Sequence, residues 1–436
     1  MTTTSSPSEP GAAVASGAAD ALPDLASDER VKIKGPLRKL LLWLLPANLG
    51  VFILWGAIPG FLLQKQIQGI ETDPTRALAS ITIVSVIGAF AAMVAQPVAG
   101  TISDRTRSRF GRRAPWMVLG ALVGGLALIG MALANEIVYV AIAWTMVQIA
   151  FNFVQGPLSA ILPDRVPVRA RGTFAALAGA AAMLGAVGGQ VIGASFANAI
   201  GAGYVTLAGV AVIAITLFVV FNPDKSSKDQ VNPPFKFVDF IRTFWINPIK
   251  YPDFFWAFTG RLLLYTGYFA VTGFNLLILQ NYIGLGDGAD ALFPVLGLLG
   301  LAGMIPTIII SGPISDRVGR RKIFVFLSSL IVGLGLLIPL MLPTVEGMML
   351  MAVVTGIGFG AFQSVDQALV TEVLPSANSY AKDLGVVNIA ATLPQTLAPG
   401  VAGAIVLSFG YAGLFPVAIT LSVLGAFAVF MIKSVK

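Results

Sequence analysis

Two ionisable side chains, Arg261 and Asp366, stand inside long apolar stretches of a chain that has no histidine and no cysteine. A charge at the centre of a bilayer costs about 2.5–3.5 kcal/mol on insertion scales, so such groups pair and usually act on a solute or ion. Arg261 falls about eight residues, and Asp366 about six, from the same end of their stretches; at roughly 1.5 Å per residue both lie roughly 8–13 Å deep. The spacing predicts an Arg261–Asp366 pair. Around it, Arg261, Tyr265, Tyr268, Thr272 and Asn275 form one stripe of a helix, and Gln363, Asp366 and Gln367 share a face of another. Gln148, Asn152 and Gln155 do the same on a third. Amides, phenols and an ion pair suit a hydroxyl-rich solute, with Trp55, Trp144, Tyr265 or Phe362 as stacking surfaces. The competing reading is that these polar groups only bond neighbouring helices.

The elements that must hold these residues are membrane helices. The chain is 56% hydrophobic and 11% charged, against about 25% charged in a soluble domain. Twelve apolar segments are predicted, at about 39–63, 78–101, 115–134, 137–160, 172–199, 203–221, 253–281, 291–313, 322–342, 346–371, 383–408 and 411–433. Each approaches the roughly 20 residues that cross a bilayer core, and in lipid a span of this kind is helical because its backbone must satisfy itself. The expected organisation is a disordered cytoplasmic tail over 1–35, a six-helix bundle over 36–221, a linker loop over 222–252 and a second six-helix bundle over 253–436.

A short loop, GTISDRTRSRFGRRAPW, carries five arginines between Arg105 and Arg113. With the N-terminus inside, 25 of the 28 Lys and Arg residues fall on the inner side; Lys65 and Arg76 fall outside and Arg261 within a span. Cytoplasmic loops hold such an excess, so both termini are expected in the cytoplasm of a multi-pass protein of the inner or plasma membrane. The net charge of +7 then needs no nucleic acid to explain it.

The chain repeats itself. Gly100-Thr-Ile-Ser-Asp104-Arg105 returns as Gly312-Pro-Ile-Ser-Asp316-Arg317, and Leu162-Pro163 as Leu374-Pro375, each displaced by 212 residues; Gly111-Arg112-Arg113 returns as Gly319-Arg320-Arg321, displaced by 208. A six-helix unit therefore occurs twice in parallel, an arrangement that places a solute site between the halves. Gln155 and Gln367 correspond under the same displacement.

The paired Gly-x-x-x-Asp-Arg…Gly-Arg-Arg loops after helices two and eight resemble the major facilitator superfamily. The form Asp104-Arg105-Thr106-x-x-Arg109-Phe110-Gly111-Arg112-Arg113-x-Pro115-Trp116 is similar to its glycoside–pentoside–hexuronide:cation symporters and sucrose transporters. The resemblance implies an all-α membrane protein whose two six-helix bundles rock about a central cavity lined by helices one, four, seven and ten. It also implies a small-molecule solute and a monomer that needs no cofactor. The signature loops, with Asp104, Arg105, Arg109, Arg112, Arg113, Asp316, Arg317, Arg320 and Arg321, would shut the inner side. Helix N-termini attract carboxylates, so Asp104 is expected to latch to helix eleven near Asp383, and Asp316 to helix five near Gly172.

One departure bears on coupling. Sodium–melibiose-type members carry a helix-two carboxylate just before a proline, where this chain has Gln96-Pro97. That argues against sodium and for protons carried through Asp366, with uniport open. Uptake of a sugar or glycoside by alternating access is therefore the expected function. Export of drugs or metabolites is the alternative; the helix-five run Gly185-Ala-Val-Gly188-Gly189-Gln190 lacks the proline common in antiporters. An enzyme is not expected, because no nucleophile motif and no metal-spaced acids are present and Gly356-x-Gly358-x-Gly360 falls within a span.

Overall fold

The computed structural model describes residues 34–228, 248–373 and 380–433. Helix α1 spans Pro36–Ile70, α2 Pro74–Arg105, α3 Ala114–Leu133, α4 Ile137–Arg165, α5 Val168–Ser195 and α6 Ile200–Phe221. In the second half, α7 runs over Pro252–Thr272 and, after a 45° bend, Asn275–Tyr282. Then come α8 (Ala289–Val318), α9 (Arg321–Met341) and α10 (Val345–Glu372). The last two, α11 over 380–409 and α12 over 411–428, share one helical stretch, Tyr380–Ala428, divided at Gly410 with φ 70°. A straight helix of that length would measure roughly 74 Å, more than twice a bilayer core of about 30 Å. Only a reversal fits, and glycine enters the left-handed region without a Cβ penalty. The reversal is fixed at both ends. Tyr411 meets Asn281 at the end of α7, while the Lys433 backbone amide donates to Asp253 at its start. Linker residues 229–247 and most of the tail lie outside the described residues.

Contacts within the first half show its successive helices alternating in direction. Asn222 after α6 accepts from Arg165 at the end of α4, and Ser227 bonds Thr106 after α2. On the other side, Gln66 near the end of α1 donates to Met131 and Ala134 at the end of α3. Lys65 near the end of α1 meets Asp290 at the start of α8, so α8, like α2, runs from that side to the opposite one. The two signature loops share one face, called the basic face, and the opposite one is the far face.

The duplication is visible in the packing. Gly88 of α2 faces Trp144 of α4, and the equivalent Gly300 of α8 faces Gly356 of α10. The break in α7 at Gly273–Phe274 falls where α1 has a π turn over Ile58–Leu62. A widened turn frees a carbonyl that lipid cannot satisfy, and the Gln64 side chain donates to Pro59 O at 3.1 Å. Large side chains such as Leu126, Leu133, Ile309 and Phe409 point outward, as a lipid-facing surface requires.

Without a hydrophobic drive between helices, close backbone approach holds membrane bundles together. A Cβ on Gly189 of α5 would collide with the Ile53 carbonyl of α1, whereas Gly209 of α6 faces open space. Gly189→Leu should therefore lower the thermal midpoint in detergent by several degrees, from overpacking of about 1–3 kcal/mol. Gly209→Leu should change it little in the same melt.

Candidate functional site

The deepest polar feature is the expected ion pair. Arg261 Nε donates to Asp366 Oδ2 at 2.6 Å, with the two side chains only 4% and 3% exposed. Arg261 Nη2 donates to Gln367 Oε1 at 3.0 Å. Gln363 and Gln367 are themselves exposed, so the pair sits one residue behind an accessible amide face of α10. Aromatic rings wall it in. Tyr268 stacks on Phe359 at 4.1 Å, and Tyr265 lies 5.2 Å from Phe359 and 6.0 Å from Phe362. Burying two charges costs several kcal/mol per ion unless geometry and hydrogen bonding compensate. Here Asp366, Gln367 and Arg261 supply that compensation to one another.

The first half repeats the theme with neutral groups. Trp55 Nε1 of α1 donates to Gln155 Oε1 of α4 at 2.9 Å. Equivalent glutamines, Gln155 and Gln367, therefore each accept a bond from the first helix of their own half. Trp55 packs edge-on against Trp144 and Phe151. Asn152 donates to the Gln148 carbonyl at 2.8 Å, so its amide is engaged by its own helix; Gln148 is half-buried.

Two details differ from the sequence reading. The stripe from Arg261 ends at Thr272, because the helix breaks there and Asn275 starts a new segment; Asn275 Oδ1 is buried with no partner among the described residues. Trp144, Phe362 and Tyr265 are all buried, so in this conformation they are packing residues rather than stacking surfaces, and Trp55 is the half-exposed ring. On the basic face, the aspartates hold arginines of their own loops. Asp104 pairs with Arg113 at 3.0 Å and Asp316 with Arg321 at 2.9 Å, the same bond at equivalent positions in both halves. Asp383 and the neighbouring side chains of α11 lie outside the described residues.

Each signature loop turns at a glycine with positive φ, Gly111 at 85° and Gly319 at 66°, which explains a glycine at that place in both copies. Asp164, at the end of α4, binds Arg112 at 2.7 Å and also Arg113. Burial works against the charge of Arg112. Asp164, helped by Asp104 and Asp224, outweighs it and lifts the guanidinium above its ordinary pKa. Arg109 lies over the Phe110 ring at 4.6 Å, and Arg317 and Arg320 are exposed. Arg105 is half-buried and has a bonded partner.

A polar cluster on the far face was not anticipated. Gln64, Lys65 and Gln68 of α1 reach Gly273, Asp287, Asp290 and Gln280 of the second half. The signal for it was Lys65, one of two cations on that side, and the recurrence of glutamine at 68 and 280.

Residues 75–434 match the MFS/sugar transport protein family. The chain belongs to that family. This facilitator is 30% identical over 74 residues to the inner membrane symporter YicJ of Escherichia coli (strain K12), an alignment spanning 16% of each protein. Among solved structures it resembles the nucleoside transporter NupG, with a TM-score of 0.69, 17% identity and coverage of 90% of this chain and 99% of the other. It also resembles a D-xylose-proton symporter, with a TM-score of 0.69, 14% identity and coverage of 92% and 98%. At these identities the structures speak for the fold. The chain is a multi-pass membrane transporter of the major facilitator fold, in two pseudo-symmetric six-helix halves.

Arg113 bridges Asp104 and Asp164 while nearly buried, whereas Arg112 touches Asp164 from a more exposed position. Arg113→Ala should therefore cost about 1–3 kcal/mol of stability, and Arg112→Ala clearly less, read as thermal midpoints of the purified transporter.

Proposed function

We propose that this transporter takes up a sugar or glycoside together with a proton, by alternating access across the inner or plasma membrane, with both termini in the cytoplasm. The solute site is the polar lining of α1, α4, α7 and α10: Trp55, Gln148, Asn152, Gln155, Arg261, Tyr265, Tyr268, Asn275, Gln363 and Gln367. The halves at 36–221 and 253–436 rock as units, joined by 222–252, and a single copy suffices. The signature loops, from Asp104 to Arg113 and from Asp316 to Arg321, act at the basic face.

The observation that carries the reading is the buried Arg261–Asp366 pair, with Gln367 linking it to the accessible face. Asp366 is the carboxylate that can take a proton there. Once neutral, it loosens its hold on the Arg261 guanidinium, whose Nε donor then becomes available to solute oxygens. Loading the proton and binding the solute thus draw on the same arginine, which is the differential interaction that coupling needs. The similarity to a symporter, and in fold to a D-xylose-proton symporter, fits this chemistry. The neutral Gln96-Pro97 of α2 favours a proton over sodium.

Uptake of labelled sugars and glycosides into proteoliposomes, with and without an inward proton gradient, tests the proposal. The gradient should raise accumulation severalfold. Asp366→Asn should abolish gradient-driven accumulation while leaving solute exchange at equal concentrations measurable. Normal accumulation by that variant would refute the coupling role, and gradient-driven movement in the opposite sense would assign export instead.

A further inference from the structure

The far face closes where α1 meets α7 and α8. Gln68 Nε2 donates to Gln280 Oε1 at 2.7 Å. These residues are 212 positions apart, the displacement of the internal repeat. Equivalent positions of two related halves touch each other only on the axis that relates them, so this bond marks where the pseudo-two-fold axis leaves the protein. About one turn deeper on the same side of α1, Lys65 Nζ lies 2.9 Å from Asp290 Oδ2 and 3.2 Å from Asp287 Oδ1. Gln64 adds a bond to the Gly273 carbonyl at 2.9 Å.

The two carboxylates are not alike. The Asp290 side chain is 18% exposed and that of Asp287 98%, against 14% for Lys65. The second oxygen of Asp290, Oδ1, is buried and accepts no hydrogen bond among the described residues. Lys65 is therefore the described neighbour that balances its charge, whereas water serves Asp287. The position equivalent to Lys65 in the second half is Leu277, and that equivalent to Asp290 in the first half is Leu78, both buried and apolar. The ion pair is thus no by-product of duplication, since each half carries its charge where the other carries a leucine.

We propose that Lys65 and Asp290 form the ionic latch of the far-face gate, the contact that breaks each time the central site opens to that side. Lys65 belongs to one half and Asp290 to the other, beside the axis, so rocking the halves apart there separates them. The pair stabilises the far-closed state alone and sets its share of the population. The inference needs only alternating access and holds whatever the solute or coupling ion.

The absence of cysteine makes the test direct. Thr72→Cys and Glu346→Cys place one spin label on each half at exposed far-face positions, and electron–electron distances report the far-open and far-closed populations without solute. Lys65→Ala and Asp290→Asn should each raise the far-open to far-closed ratio by about tenfold, a shift of about 1.4 kcal/mol. Asp287→Asn should shift it less than twofold. Lys65→Asp combined with Asp290→Lys should restore the parent ratio, which a merely structural role would not do. Asp290→Asn, nearly isosteric, carries the test should Lys65→Ala not fold. Ratios within twofold of the parent for Asp290→Asn, or a charge-exchanged pair no better than the single variants, would overturn the latch.

Discussion

Lipid offers no hydrogen bonds, and most of this structure follows from that. A polar group placed between the faces is costly unless it finds a partner inside the protein. Threonine and serine side chains return to their own helix: Thr82 to Leu78 O, Thr145 to Ala141 O, Thr266 to Leu262 O, Ser422 to Ala418 O. Irregular turns are patched by nearby amides, as Gln64 does for Pro59 and Asn281 for Leu277. The same rule makes the charges stand out. Arg261 and Asp366 hold each other at depth, and the remaining described ion pairs sit at the helix ends.

Duplication supplies the frame, and its violations supply the chemistry. Loop pairs Asp104–Arg113 and Asp316–Arg321 are copies of one another, as are Gly88 and Gly300 at the helix contacts. By contrast, the positions equivalent to Arg261 and Asp366 are Leu49 and Val154. A symmetric frame with a charge pair in one half gives a central face that differs between the halves, as the proposed binding of a small asymmetric solute requires. The neutral Trp55–Gln155 bond is the other half of that face.

Much of this was legible in the chain because lipid imposes long, unbroken periodicities. Twelve spans, their alternation and the repeat displacement need only apolar length and motif spacing. The Arg261–Asp366 pair was legible too, because a charge so deep has few places to go. The reversal between the last two helices was legible as well: the reading parts 383–408 from 411–433, and the backbone turns between them at Gly410. The α7 bend was not legible and cut Asn275 from its stripe, because residue types set the face but not where backbone geometry resets it. The far-face cluster was hidden because its partners come from helices more than 200 residues apart, and periodicity within one helix carries no information about which neighbour it meets.

The placement of charge also explains why such a machine can move at all. On the basic face Asp104 and Asp164 pair with Arg113, and Asp316 with Arg321, each within its own half. Bonds of that kind travel with a half and leave the balance between states nearly unchanged. On the far face the bonds cross from one half to the other, so they exist in one state and not its opposite. A transporter whose cross-half contacts were numerous on both faces would be fixed; one with none would leak. A few polar bonds near the axis, each partly solvated, are worth about 0–1 kcal/mol for an exposed pair and more when shielded. That is large enough to bias two states and small enough for a solute bound at the centre to reverse the bias.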